Sequence, residues 1–159
     1  MTKRAKAREK LPDIVCACAT LRRAARLVTQ LYDEELRPRL PASQFALLSA
    51  IAKRPKSTQS ALARTLAFDK TTLSRNLALL KKNGWIEYTA TDDQRERGVR
   101  LTAAGADLLV AAKPGWRRAQ KRLQSAMTAA QWDAMWRVLR DVTNNAYQAR
   151  RVKEEKRRR

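Results

Sequence analysis

Leucines recur with a helical period from residue 58 onward and then give way to strict alternation. Leu62 and Leu66 lie one turn apart, with the small Ala63 between them. Leu73, Leu77 and Leu80 follow at i, i+4 and i+7, the buried stripe of a second helix. Thr58 and Asp69 stand where N-caps belong, because their side-chain oxygens can accept a free backbone N–H. Gly84 suits the left-handed end of the second helix. Ile86 and Tyr88 next alternate with Glu87 and Thr89, and Val99 with Leu101 repeats the alternation after DDQRERG. That is a hairpin of two half-buried strands. Helix, tight turn, helix and hairpin over residues 58–102 predict a winged helix-turn-helix.

The flanks are helical too. Residues 13–36 read as a long helix opened by Pro12 and Asp13 and ended before Pro38. Ile14, Cys18, Leu21, Ala25, Val28 and Tyr32 form one stripe, and Cys16, Leu27 and Leu31 line the other side. A helix apolar on two faces is buried between two bodies, and the second is most simply another subunit. Residues 44–53 form a short helix carrying Phe45, Leu47, Leu48 and Ile51, broken by Arg54-Pro55-Lys56. Thr102 caps the next helix, which Pro114-Gly115 should kink or interrupt before it resumes with Trp116 and Leu123. Thr128 and Gln131 have capping-box spacing ahead of a last helix striped by Trp132, Met135, Trp136, Leu139 and Val142. The winged unit is too small to cover these helices, so the tryptophans read as dimer core rather than as a ligand box.

Opposite its leucines, the second helix of the motif carries Thr71, Arg75, Ala78 and Lys82. Thr72 and Ser74 flank this face, and Lys70 opens the helix. The face reads as free of acids and of large apolar groups. Arginine can fork onto guanine, threonine and serine can bond base or phosphate, and a methyl can touch thymine. The plain alternative is a solvated helix face. Arg95 and Arg97 fall at the hairpin tip, where no core can claim them. There they could enter the narrow minor groove, whose potential attracts guanidinium groups. Asp93 is placed to pin the loop by pairing with an arginine, by spacing Arg95.

Charge sharpens this reading. The 159 residues hold 35 Lys and Arg against 15 Asp and Glu, a net charge of +20. The first and last ten residues carry +9 of it, so +11 belongs to the body. Nucleic acid is the default partner of such an excess. No apolar run approaches the roughly 18 residues of a membrane span, and the basic N-terminus lacks the apolar stretch of a signal peptide. Two cysteines spaced C-x-C make no disulfide framework, which points to a reducing cytoplasm and, with the charge, to the nucleoid. There is no histidine, no zinc pattern and no glycine-rich phosphate loop. No catalytic residue, metal or cofactor is therefore expected. Asp33, Glu34 and Glu35 read as a solvated charge run.

At SQFALLSAI, TQSALARTLAFDKTTLSRNLALLKKNGWI and DDQRERGVRLTAAG the chain resembles the MarR-type (multiple antibiotic resistance regulator) transcription factors. Asp93, Arg95, Leu101, Thr102 and Gly105 have the spacing of that family's wing signature, and the likeness covers roughly residues 13–149. Two positions depart from it. Ala67 stands where the family's turn commonly has glycine. Gly98 stands where the wing is often apolar, so a late start is expected for the second wing strand.

The resemblance implies a mainly α fold with a small β-hairpin wing, a winged helix-turn-helix with long N- and C-terminal dimerisation helices. The expected boundaries are a basic disordered tail over 1–12, one domain over 13–149 and a basic tail over 150–159. Within the domain the winged core spans 43–101 and the dimerisation helices 13–36 and 102–149. The implied function is that of a sequence-specific regulator, a ligand- or oxidant-responsive repressor binding a near-palindromic operator in double-stranded DNA as a homodimer. A basic architectural or RNA-binding protein using the same unit without reading sequence is the alternative.

Several members of the resembling family sense oxidants through a cysteine in the first helix, which makes Cys16 and Cys18 candidate redox residues. On one helix, residues i and i+2 point about 200° apart and cannot bond to each other. Cys18 falls in the main stripe and is expected to be buried and inert, leaving Cys16 as the sensor. The plain alternative is that both are small apolar residues. The rival effector is a small aromatic anion in the crevice between the first helix and the winged unit.

Overall fold

A computed structural model of the chain describes residues 11–91 and 96–158, the last seven by backbone alone. The elements run α1 (Ala17–Leu36), α2 (Ala42–Lys53), β1 (Ser57–Thr58), α3 (Gln59–Leu66), α4 (Lys70–Lys82), β2 (Ile86–Ala90), β3 (Arg97–Leu101), α5 (Ala103–Ser125) and α6 (Ala129–Arg158). The mainly α winged fold is the one expected.

One core organises the middle of the chain. Leu36, Leu40, Leu47, Leu48 and Ile51 from α1, its exit turn and α2 meet Leu62 of α3 and the α4 stripe Leu73, Leu77 and Leu80. Ile86 and Val99 close it from the sheet, and Leu109 and Ala112 from α5. Each fully buried leucine contributes about 1.5–3 kcal/mol over its exposed state, so the α4 stripe alone clamps that helix firmly.

Helix boundaries follow the caps. Thr58 Oγ1 accepts the N–H of Ala61 at 3.2 Å, and Asp69 accepts that of Thr72 at 2.8 Å. Thr128 and Gln131 form the full capping box, each backbone N–H donating to the other's side chain. Gly84 turns left-handed with φ 73° after Asn83, as expected. Ala67 adopts φ 53° in the turn between α3 and α4. The motif keeps its turn although a Cβ then stands in the left-handed region, which disfavours it.

Several boundaries differ from those read in the sequence. Helix α1 begins at Ala17 with Cys16 as its N-cap, four residues after Asp13. Thr20 Oγ1 donates to the carbonyl of Ile14 and Arg23 to that of Pro12, which folds the preceding segment back on the helix. Helix α2 opens at Ala42, two residues early, because Asp33 Oδ1 accepts the Ala42 N–H at 2.7 Å. Strand β1 has no counterpart in the sequence pattern. Its two residues pair antiparallel with β3, giving the sheet order β1-β3-β2. Strand β3 starts at Arg97, includes Gly98, and pairs Arg97 with Ala90, so no late start occurs.

Pro114 lies inside α5 without interrupting it. The neighbouring Gly115 explains why the pair is used there: a Cβ on it would come within 2.4 Å of the Glu35 carbonyl oxygen. Helices α1 and α5 therefore cross at backbone contact. Arg118 and Arg122 of α5 lock the crossing by reaching Glu35 at 2.9 Å and Glu34 at 2.6 Å, and Tyr32 hydrogen-bonds Gln120. The acidic run is thus engaged rather than solvated, with Asp33 capping α2. Helix α6 continues through the basic C-terminal residues to Arg158.

Helix α6 packs extensively against no other described element. Trp136, Val138, Leu139, Val142 and Tyr147 on it are exposed, as are Leu21, Leu27 and Val28 on α1. Phe45 stacks on Trp116 at 6.2 Å and Trp85 packs against the core, so two of the tryptophans are engaged within the chain itself. Trp132 and Trp136 pair edge to face at 5.8 Å on the open helix.

Candidate nucleic-acid interface

Helix α4 is held from behind by three leucines of at most 1% exposure, which turns its other side outward by default. Lys70, Thr71, Thr72, Ser74, Arg75 and Lys82 are all exposed on it. The side chains of Lys70, Thr71, Ser74, Arg75 and Lys82 make no hydrogen bond or ion pair with any described residue. Thr72 is different. Its hydroxyl donates to Asp69 Oδ2 at 2.6 Å, and its carbonyl accepts from Asn76 at 2.9 Å.

Asp69 keeps its charge at the helix N-terminus. The hydroxyl of Thr72, then its backbone N–H, hold the carboxyl below its ordinary pKa. One reading of the face is corrected. Leu79, one turn after Arg75, is 43% exposed, so a large apolar group does share the outward side. The sequence signal was present, since Leu79 falls outside the i, i+4, i+7 stripe.

Strands β2 and β3 stand beside α4. Lys81 reaches over the Tyr88 ring at 4.9 Å, tying the end of the helix to the first wing strand. Arg97 is exposed but is the first residue of β3 rather than part of the tip. Arg95 and Asp93, with the pairing expected between them, lie outside the described residues. Two other contacts secure the base of the loop: Thr91 Oγ1 donates to the Glu96 carbonyl at 2.8 Å, and Ser60 Oγ to Glu96 Oε1 at 2.9 Å. Sequence reading missed Glu96 because its partner is 36 residues away.

The two cysteines are placed differently from expectation. Cys18 is exposed in the first turn of α1, not buried, and Cys16 is exposed at the N-cap with extended backbone. They are not two residues of one helix, so the angular argument against a bond between them does not hold. A groove of about 1040 Å³ lies between α3–α4 and the far end of α6, with no α1 residue in its lining. Among the described residues no cluster of His, Cys, Asp and Glu could hold a metal, and no helix is long and apolar enough to cross a membrane.

Comparison with known proteins bears on the same region. A family model described as MarR family matches residues 40–96, which include α3, α4 and β2. The transcriptional regulator HosA of Escherichia coli is 31% identical over 118 residues, covering 73% of this chain and 86% of HosA. Among solved structures, the M. tuberculosis transcriptional regulator MosR in complex with DNA is 36% identical, with TM-score 0.76 over 85% of this chain and 98% of MosR. Wild-type MarR of E. coli is 25% identical, with TM-score 0.66 over 82% and 98% of the two chains. A capped helix with a polar, cationic outer face, a hairpin beside it and these likenesses lead to one conclusion: the chain belongs to the MarR family and is a DNA-binding transcriptional regulator.

Proposed function

We propose that this regulator is a homodimeric repressor that binds a near-palindromic operator and releases it on meeting an effector. One observation carries the reading of sequence: five polar or cationic side chains of α4 are exposed and unengaged by any described residue, opposite a stripe that is fully buried. Arg75 and Lys70 supply charge, and Thr71 and Ser74 supply short donors and acceptors that reach base edges or phosphates. Thr72 keeps an acceptor lone pair while its proton serves Asp69. Lys82 lies at the far end and serves a phosphate. Arg97 approaches the minor groove, the role the sequence also gives Arg95.

The apolar residues left open on α1 and α6 support the homodimer, because a second copy would cover them. A two-fold dimer places two α4 helices on half-sites about 10 base pairs apart between centres. For the effector, two chemistries remain in play. One is oxidation at Cys16, which is accessible where α1 begins. The other is a small aromatic or anionic ligand. Either would act by shifting α1 and the helices bound to it.

The test is competition between a selected operator and random duplex at physiological salt, with light scattering on the same sample. A strong operator preference by a dimer is expected. Equal affinity for both would make the protein a sequence-blind architectural binder, since phosphate contacts carry no sequence information.

A further inference from the structure

The hydroxyl of Thr72 has one way left to meet a nucleic acid. It lies 2.6 Å from Asp69 Oδ2, within the range of about 2.5–2.7 Å for an O–H held by a carboxylate. That carboxyl is kept below its ordinary pKa, first by this hydroxyl and then by the Thr72 N–H. At neutral pH it has no proton of its own, so the proton in the bond belongs to Thr72. A threonine hydroxyl carries a single proton, and this one is therefore an acceptor only. The Thr72 carbonyl already takes Asn76 Nδ2 at 2.9 Å. Thr71 and Ser74 differ, because no described residue engages their hydroxyls, which can turn to donate or accept. Thr72 is exposed on α4 three residues before Arg75, and so is its neighbour on the helix surface.

We propose that Thr72 is a specificity-determining residue, an acceptor-only hydroxyl that selects a base with an exocyclic amino group on the strand it faces. The proposal rests on the reading that α4 lies in the major groove. There the N6 amino group of adenine and the N4 amino group of cytosine are the donors, whereas guanine and thymine hydrogen-bond only as acceptors. Facing guanine O6 or thymine O4, the Thr72 oxygen would set one acceptor against another. A phosphate oxygen is refused for the same reason, and would also stand close to the Asp69 charge. To serve any of these, Thr72 must give up its bond to the carboxylate, about twice as strong as a neutral one. Asp69 is then a positioning residue. It fixes the direction of the proton, and with it the bases that the helix accepts. Lys70, Thr71 and Ser74 remain available to phosphates.

The experiment selects DNA from a random duplex pool with the full chain and with Thr72→Val, Thr72→Ser, Asp69→Ser and Arg75→Ala. Wild type should hold one position per half-site to adenine or cytosine. Thr72→Val, of the same shape without the hydroxyl, should lose that preference and keep the others. The ratio of amino to non-amino bases there should fall roughly 2- to 12-fold, the span of one neutral hydrogen bond. Thr72→Ser should keep the preference. Asp69→Ser retains a capping oxygen but frees the proton, so guanine and thymine should become tolerated at that position while circular dichroism stays helical. Purine in place of a selected adenine, or pyrimidin-2-one in place of a selected cytosine, removes the amino group alone. Either should weaken wild type by a similar factor and leave Thr72→Val unchanged. Because it compares two DNAs on one protein, this arm stands even if Thr72→Val folds less well.

A Thr72→Val protein that selects the same bases would overturn the proposal, as would a hydroxyl-dependent preference for guanine or thymine. A loss equal on selected and random duplex would overturn it by assigning the hydroxyl to phosphate. Preference that survives Thr72→Val but not Asp69→Ser would make the carboxylate the reader instead. Arg75→Ala reports separately on the α4 reading. Altered preference with Arg75→Ala and none with Thr72→Val would leave α4 in the groove and remove only the role of Thr72.

Discussion

Asp69 accepts two hydrogen bonds from Thr72, the backbone N–H at 2.8 Å and the hydroxyl at 2.6 Å. The recognition helix thus begins on its own carboxylate, and a residue that could touch DNA is first fixed by its cap. Asp69→Ala should lower the melting temperature and weaken operator binding together, whereas Asp69→Asn keeps an acceptor and most of the stability. The pH dependence has a definite sign. The folded-state pKa is depressed, so the stabilisation is present above the ordinary carboxylate range and is lost as pH falls below roughly 4. Thermal melts from neutral to acid should show the gap between the wild type and Asp69→Ala narrowing at the acid end, as the charge-dependent part of the cap is lost. Parallel curves would mean that the cap contributes no charge-dependent stability.

Helix and wing should divide the labour of binding. Arg75→Ala should cost on the order of 1–3 kcal/mol and relax preference at one base position. Arg97→Ala should weaken binding with little change in preference. Selection from a random DNA pool with each variant decides this. Altered major-groove preference with Arg97→Ala, and none with Arg75→Ala, would exchange the roles.

Gly115→Ala tests the α1–α5 crossing. Alanine ordinarily gains about 0.5–1 kcal/mol over glycine inside a helix. Here its Cβ would lie 2.4 Å from the Glu35 carbonyl oxygen, an overpacking cost of typically 1–3 kcal/mol. The clash wins, so the variant should be less stable in denaturant melts. A variant as stable as wild type would show that the two helices can separate freely.

Trp136, 48% exposed on α6, tests the dimer. Trp136→Glu puts a charge where a second copy would cover the helix. The variant should shift toward monomer in light scattering and lose operator affinity, while its circular dichroism stays helical. A wild-type chain that is monomeric and still binds tightly as one unit would remove the homodimer from the account.

Oxidant sensing is decided by peroxide in an operator-binding assay. Peroxide should release the wild type, and Cys16→Ser should not respond. Release that persists in both Cys16→Ser and Cys18→Ser would rule out the thiols. Release by salicylate-like acids, indifferent to both substitutions, would favour the small-ligand route.

Local rules determined much of this protein without any coordinates. Thr58, Asp69, Thr128 and Gln131 act within four residues of themselves, so their caps could be read directly from spacing. The Leu73, Leu77 and Leu80 stripe fixed the outward face of α4 for the same reason, since helical period alone relates the two sides. The motif residues of the winged unit were equally legible as a MarR-type pattern. What depended on partners distant in the chain was not. Strand β1 exists because β3 pairs with it 40 residues later, Glu96 matters because it reaches Ser60, and Asp33 starts α2 early from the end of α1. Pro114 passes through α5 while Gly115 meets Glu35 some 80 residues before it, an approach that no local pattern encodes. Arg150 and Arg151 read as part of a basic tail, whereas α6 runs on through them to Arg158.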